Sequence, residues 1–180
     1  MDVDLVVRAQ QGDRASYTAI ARAMGGRFLA LARGILRDAD LAEDATQQAL
    51  LAVWQDLPQL RDPSRFEAWS YRLLVRACHA EGWRERRWAE NVRLLPTDDR
   101  LDDPVGSIVD RDQLERAFRQ LSLEHRTVIV LHHYLGLPLD RVADACGIPT
   151  GTAHSRLHHG MRALRSAVEA DLRQAPREAM

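Results

Sequence analysis

Residues 137–164 read Leu-Pro-Leu-Asp-Arg-Val-Ala-Asp-Ala-Cys-Gly-Ile-Pro-Thr-Gly-Thr-Ala-His-Ser-Arg-Leu-His-His-Gly-Met-Arg-Ala-Leu. The spacing predicts a short helix, a tight turn and a longer helix with a polar outer face. Ala143 is small where two crossing helices approach closely. Gly147 follows four residues later, where the first helix must stop and the chain turn, often through positive φ. Ile148 and Ala153 face back into the angle between the helices. Thr150 or Thr152 can cap the second helix. This is the pattern of a helix-turn-helix, whose second helix enters a DNA groove.

Outward from that motif the chain reads as all-helical. Of its 180 residues, 46% are hydrophobic but only 6% aromatic, and strand-like alternation is almost absent. Ala, Leu, Arg, Glu and Gln are good helix formers. Helices are expected at about 110–120, 123–135 and 139–146, with a long one over 152–172. Upstream they are expected over 4–11, from Asp13 or Ser16 to about Arg37 with a kink at Gly25-Gly26, and over 40–57 and 65–88. The organisation is two small helical domains, 1–92 and 110–172, joined by an acidic flexible linker at 93–109 and followed by a frayed tail at 173–180.

Charge is segregated along the chain. The net charge is −1 and there is no Lys, so every fixed cation is Arg. Residues 97–112 carry six Asp against two Arg, whereas residues 72–93 carry six Arg against three Glu. Local sign governs the binding of a polyanion more than the sum does. No apolar run approaches the ~18–20 residues of a membrane span. The opening Met-Asp-Val-Asp-Leu lacks the basic and apolar regions of a signal peptide. A cytoplasmic protein without membrane insertion is therefore expected. Cys78 and Cys146 stand far apart and are expected to be small inward-facing residues.

Three helix faces carry the candidate chemistry. On the 65–88 helix, Phe66, Trp69, Leu73, Ala77 and Ala80 share the expected core face. Arg72, Arg76, His79, Trp83, Arg86 and Arg87 fall within a second arc of about 100°. Guanidinium groups with an interleaved ring suit single-stranded nucleic acid, the cations tracking phosphates and the ring stacking on a base. The alternative is a solvated Arg face with Trp83 packed on a neighbour. On the 40–57 helix, Leu41, Ala45, Ala49, Ala52 and Val53 face inward, while Glu43, Asp44, Gln47, Leu51 and Trp54 form one outer row. Such a row suits a protein partner, with burial from Leu and Trp and selection of a basic partner by the carboxylates. The alternative places Leu51 and Trp54 in the bundle core. On the last helix, Ala153, Leu157, Gly160, Met161, Leu164 and Val168 face inward. Ser155, His158, His159 and Arg162 point out, flanked by His154 and Arg165, a set able to contact bases and phosphates. The i, i+4 pair His154 and His158 lacks further metal ligands nearby. No nucleophile–base pair and no phosphate-binding Gly loop is present, so no catalytic residue, metal or cofactor is expected.

The chain resembles the extracytoplasmic-function sigma factors of bacterial RNA polymerase over about residues 4–170, in four blocks in the family's order. Asp40-Leu41-Ala42-Glu43-Asp44-Ala45-Thr46-Gln47-Gln48-Ala49-Leu50-Leu51-Ala52-Val53-Trp54 resembles the core-polymerase-binding helix. Phe66-Glu67-Ala68-Trp69-Ser70-Tyr71-Arg72-Leu73-Leu74, with the Arg-rich end after it, resembles the segment that captures the opened −10 element. Leu121-Ser122-Leu123-Glu124-His125-Arg126-Thr127-Val128-Ile129 resembles the start of the C-terminal domain. Gly147-Ile148-Pro149-Thr150-Gly151-Thr152-Ala153-His154-Ser155-Arg156-Leu157 is similar to the −35 recognition motif.

The resemblance implies a non-enzymatic subunit that binds core RNA polymerase and promoter DNA and is held in check by an anti-sigma factor. It implies polymerase contacts at Asp40, Glu43, Asp44, Gln47, Gln48, Leu51 and Trp54. It implies −10 contacts at Arg61, Ser64, Arg65, Arg72, Arg76, His79, Trp83, Arg86 and Arg87. For the −35 duplex it implies His132, Thr150, Gly151, Thr152, His154, Ser155, Arg156, His158, His159 and Arg162. The acidic linker would thread the polymerase's basic RNA path. The chain departs from the family's common residues at Arg76 (often Asn), Ala80 (often Asp) and Gln48 (often Glu). A competing reading is a stand-alone helix-turn-helix repressor or activator. It explains residues 110–172 and leaves the two upstream faces idle.

Overall fold

The structure, a computed structural model, describes residues 1–92 and 109–174, with side chains described for residues 1–88 and 114–170. The linker expected at 93–109 lies outside these residues except for Val109, and the expected tail lies outside from 175 onward.

Short polar residues start the helices. Asp2 caps α1 (Val3–Gln10) by accepting the Asp4 N–H at 3.0 Å, and Asp13 caps α2 (Arg14–Leu36) by accepting from Ala15 at 2.9 Å. Asp38 caps α3 (Ala39–Asp56) by accepting from Leu41 at 2.8 Å. Each carboxylate satisfies an N–H that the helix itself cannot, and its charge opposes the helix dipole. Helix α2 runs through Gly25 and Gly26 without interruption. It stops at Arg37, which takes the left-handed conformation (φ 61°) usually reserved for Gly. Two 3₁₀ turns, Leu57–Gln59 and Pro63–Arg65, lead into α4 (Phe66–Val92). The N-terminal bundle closes over Ile20, Phe28, Leu31, Ile35, Val53, Leu57, Phe66 and Leu74, all essentially inaccessible to water.

The C-terminal unit comprises α5 (Val109–Gln120), α6 (Leu123–Ile129), α7 (Leu139–Cys146) and α8 (Thr150–Gln174). The continuous helix expected over 123–135 instead widens after Ile129 into a π turn, Val130–Tyr134, with the Leu135 N–H reaching back to the Val130 carbonyl at 3.1 Å. Gly147 ends α7 at φ 67°, as the motif requires. Helix α8 begins at Thr150, so Thr150 and Thr152 stand in its first turn rather than capping it. The N–H groups of Thr152 and Ala153 bond instead to the Pro149 carbonyl, at 2.9 and 3.1 Å.

The two units share their cores. Leu123 and Val130 insert among the buried residues of the N-terminal bundle, and Val75 of α4 joins Val128, Leu131, Val142 and Ala145. Two glycines receive the incoming side chains. A Cβ on Gly82 would lie 2.8 Å from Leu123 Cδ2, and one on Gly34 would lie 3.2 Å from Val130 Cγ2. Among the described residues no helix is long and apolar enough to cross a membrane.

Candidate polymerase and promoter interfaces

Helix α3 presents the mixed row to solvent. Asp40, Glu43, Asp44, Gln47 and Gln48 are exposed, and Leu51 and Trp54 remain 55% and 37% accessible. The core placement of Leu51 and Trp54 is thus not what the chain adopts. Trp54 is braced edge-on by Tyr17, ring centroids 4.5 Å apart, while the Tyr17 hydroxyl donates to the Leu50 carbonyl at 2.6 Å. Burial also holds the Tyr17 hydroxyl above its ordinary pKa. An exposed indole on a rigid support loses little conformational freedom when a partner covers it. Glu43 pairs with Arg33 at 3.3 Å, both side chains being largely exposed.

The basic stripe on α4 divides into open and covered parts. Arg76, Trp83, Arg86 and Arg87 are exposed, with Trp83 53% accessible. Arg72 is half-buried, and its Nε is enclosed without a hydrogen-bond partner. His79 is half-buried, with Nε2 3.0 Å from the Thr127 hydroxyl of α6. Burial pushes the His79 pKa down, Arg156 and Arg86 add to the shift, and Glu124 opposes it. A cleft of about 580 Å³ separates Arg72, Arg76, His79 and Trp83 from the turn of the helix-turn-helix around Gly147. Arg61, Ser64 and Arg65 are exposed at the start of α4. Ser64 is held by Asp62, its N–H at 3.0 Å and its hydroxyl at 2.6 Å from Oδ1. Those bonds lower the Asp62 pKa. The expected core face of α4 needs one correction. Phe66, Leu73 and Ala77 are buried and Trp69 half-buried, but Ala80 is exposed at the cleft.

On α8, Thr150, Gly151, His154, Ser155, His158, His159 and Arg162 are exposed, whereas Thr152 and Arg156 are half-buried. His132 is half-buried, its Nδ1 2.8 Å from the Leu137 carbonyl. Of the expected inner face, Ala153 and Gly160 are buried and Leu157, Leu164 and Val168 half-buried, but Met161 is exposed. Gly160 lets α8 close on α6, since a Cβ there would meet Ile129 and His125 at 3.0 and 3.1 Å. Cys78 is fully buried and Cys146 half-buried. Burial pushes their thiols up to about 12 and about 11. Among the described residues no cluster of three or more His, Cys, Asp or Glu is arranged to hold a metal.

Residues outside the expected set complete the arrangement. Half-buried Arg126 donates from Nη1 to the Leu36 carbonyl at 3.4 Å, at the C-terminal end of α2, and desolvation brings its pKa down to about 10. Arg37 pairs with Glu115 and lies over the Phe118 ring, 5.6 Å from its centroid. Glu81 is buried on the side of α4 that faces α3. The helical wheel places Glu81 about 180° from Arg72, which was the available signal. Nothing local marks Arg37, Arg126 or Thr127, because their partners are distant in sequence.

Two family descriptions match the two halves of this architecture. Residues 20–89 match Sigma-70 region 2, and residues 111–164 match Sigma-70, region 4. The chain is 34% identical over 170 residues to the ECF RNA polymerase sigma factor SigL of Mycobacterium tuberculosis, covering 88% of this chain and 94% of that protein. The chain belongs to the extracytoplasmic-function sigma factors. It is also 28% identical to the RNA polymerase sigma-H factor of Pseudomonas aeruginosa, over 97% of both chains. The sigma factor RpoE, solved in complex with the anti-sigma factor NepR from Bartonella quintana, has the same fold, with a TM-score of 0.69 at 22% identity over 86% of this chain and 98% of that one. This sigma factor serves promoter recognition and transcription initiation. A stand-alone helix-turn-helix regulator would account for region 4 and leave region 2 without a role.

Proposed function

We propose that this sigma factor divides its work among the three faces. The α3 row of Asp40, Glu43, Asp44, Gln47, Gln48, Leu51 and Trp54 docks on core polymerase. Arg61, Ser64, Arg65, Arg72, Arg76, His79, Trp83, Arg86 and Arg87 capture the opened −10 strand. Thr150, Gly151, Thr152, His154, Ser155, Arg156, His158, His159 and Arg162 of α8 read the −35 duplex, with His132 at the groove's rim. The working units are residues 1–92 and 110–172, with 93–109 as linker and 173–180 as tail. The chain acts in the cytoplasm and performs no chemistry itself; the polymerase is the catalyst. The exposed Trp83 among Arg76, Arg86 and Arg87 carries the reading, because duplex DNA gives an outward indole nothing to stack on whereas an unpaired base does. Strand opening follows from binding energy for the unstacked base.

In the arrangement described, His79 and Arg72 of that stripe face the C-terminal unit. Strand capture then requires the C-terminal unit to move off α4. The anti-sigma factor in the relative's complex supports a partner of the same kind for this chain. Transcription by core polymerase with this chain added, followed by sequencing of RNA 5′ ends, tests the function. Transcripts sharing −35 and −10 motifs are expected. No promoter-specific transcript, with tight duplex binding by the lone chain as a dimer, would instead establish a stand-alone regulator.

A further inference from the structure

One ionic cluster joins the polymerase row to the nucleic-acid helix. Glu81 of α4 is 2% exposed, and its Oε1 accepts from the Gln48 side-chain amide of α3. Arg84 Nη2 lies 2.5 Å from Glu81 Oε2 and 3.7 Å from Asp44 Oδ2. Glu81 Oε2 is enclosed, and the Arg84 guanidinium is the cation set against it. Arg84 and Asp44 are themselves open, with side chains 60% and 55% accessible. Glu81 is thus the fixed member of the cluster and Arg84 the movable one. On the wheel Arg84 stands about 60° from Arg87, at the edge of the stripe that meets α3.

We infer that Arg84 is shared between the two binding faces, with Glu81 as the positioning residue that keeps it at their seam. The inference rests on the assignment of α3 to polymerase and of α4 to the −10 strand. A basic group of the polymerase that takes Asp44 removes one of Arg84's two anions and frees the guanidinium for a DNA phosphate. A phosphate that takes Arg84 likewise leaves Asp44 open to the polymerase. The coupling is positive and, being a binding free energy, reciprocal. It also accounts for Gln48, where the family often has Glu: only a side chain with a donor can meet the buried Glu81 carboxylate, and a second carboxylate would repel it.

The test uses the full chain, core polymerase and fork DNA carrying the −10 sequence read from RNA ends as an unpaired strand. The ratio of core-polymerase Kd without and with saturating fork DNA is the coupling factor. Arg84→Gln and Asp44→Asn are each expected to lower that factor about fivefold, the low end of ordinary couplings. The double variant is expected to lower it no further than either single, because both remove the same exchange. Glu81→Gln is expected to lower the factor as well, and the swap Gln48→Glu with Glu81→Gln to restore it by rebuilding one carboxylate–carboxamide pair. Melting temperatures measured in parallel register any purely structural effect. An undiminished factor in Arg84→Gln, or additive losses in the double variant, would overturn the inference. Failure of the unaltered chain to bind core polymerase or fork DNA would instead refute the function on which it rests.

Discussion

Replacing Gly82 with Ala isolates the closure of the two units from the folding of either one. The new methyl carbon would sit 2.8 Å from Leu123 Cδ2, 3.6 Å from its Cδ1 and 3.5 Å from Leu36 Cδ2. Leu123 is 1% exposed and set among bundle residues, so its methyl has little room to retreat. Overpacking of this kind costs about 1–3 kcal/mol. In the opposite direction, Ala stabilises a helix interior by about 1 kcal/mol over Gly. That gain is present whether α6 is docked or released, so it cancels from the ratio of closed to open forms. The overpacking does not cancel, and the ratio should fall roughly 5- to 150-fold. Small-angle scattering should show a larger radius of gyration. Affinity for fork DNA should rise by up to the same factor, as His79 and Arg72 are uncovered. Gly34→Ala, with its nearest contact at 3.2 Å, should act in the same direction and less strongly. If Gly82→Ala leaves both the scattering profile and fork-DNA affinity unchanged, docking of α6 on α4 does not gate strand capture.

Three further outcomes follow from the same geometry. Trp83→Ala should weaken fork-DNA binding by about 1–3 kcal/mol, the loss of one stacked base, while melting temperature stays put because Trp83 is 53% exposed; equal binding by both proteins in fluorescence anisotropy would remove Trp83 from the −10 contact. Arg162→Ala should weaken −35 duplex binding and reduce the slope of log affinity against log salt by about 1, with exposed Arg162 offering no packing to lose. The third concerns pH: His79 is half-buried and desolvation holds it below its ordinary pKa, so the docked form prefers neutral imidazole. Docking should therefore be complete above about pH 6.5, the value of a free imidazole, and weaken as pH falls below it toward the lowered one. The groups facing His79 are Thr127, Glu124, Arg156 and Arg86. Energy transfer between dyes on the two units should report the change, and His79→Gln should flatten it.

Much of the site was legible in the sequence because it depends on short-range geometry. Helical period put Glu43, Asp44, Gln47, Leu51 and Trp54 in one row but left Leu51 and Trp54 open between an outer face and the bundle core; the structure leaves both accessible to solvent. The arc from Arg72 to Arg87 was likewise a matter of angle. Where the period misled, a neighbour was missing or unforeseen. Ala80 was assigned to the core and instead borders the cleft, since the C-terminal unit meets α4 beside it rather than over it. Met161 has an inward angle on α8 and is exposed. Glu81 is a charged residue in a basic segment, and only the proximity of Gln48 and Arg84 makes its burial tolerable.

By itself the sequence determined the order of the helices, the turn at Gly147 and which polar residues share a face on α3, α4 and α8. Those features are set by backbone conformation, caps and periodicity within a few residues. Tertiary structure alone decided that Leu123 of α6 docks at Gly82 of α4 and Val130 of the π turn at Gly34 of α2, and that His79 and Arg72 of the nucleic-acid stripe are half-buried while Trp83 is exposed. The physical reason is that a missing Cβ stabilises nothing locally; it matters only when a side chain some forty to a hundred positions away, Leu123 or Val130, arrives to fill the notch.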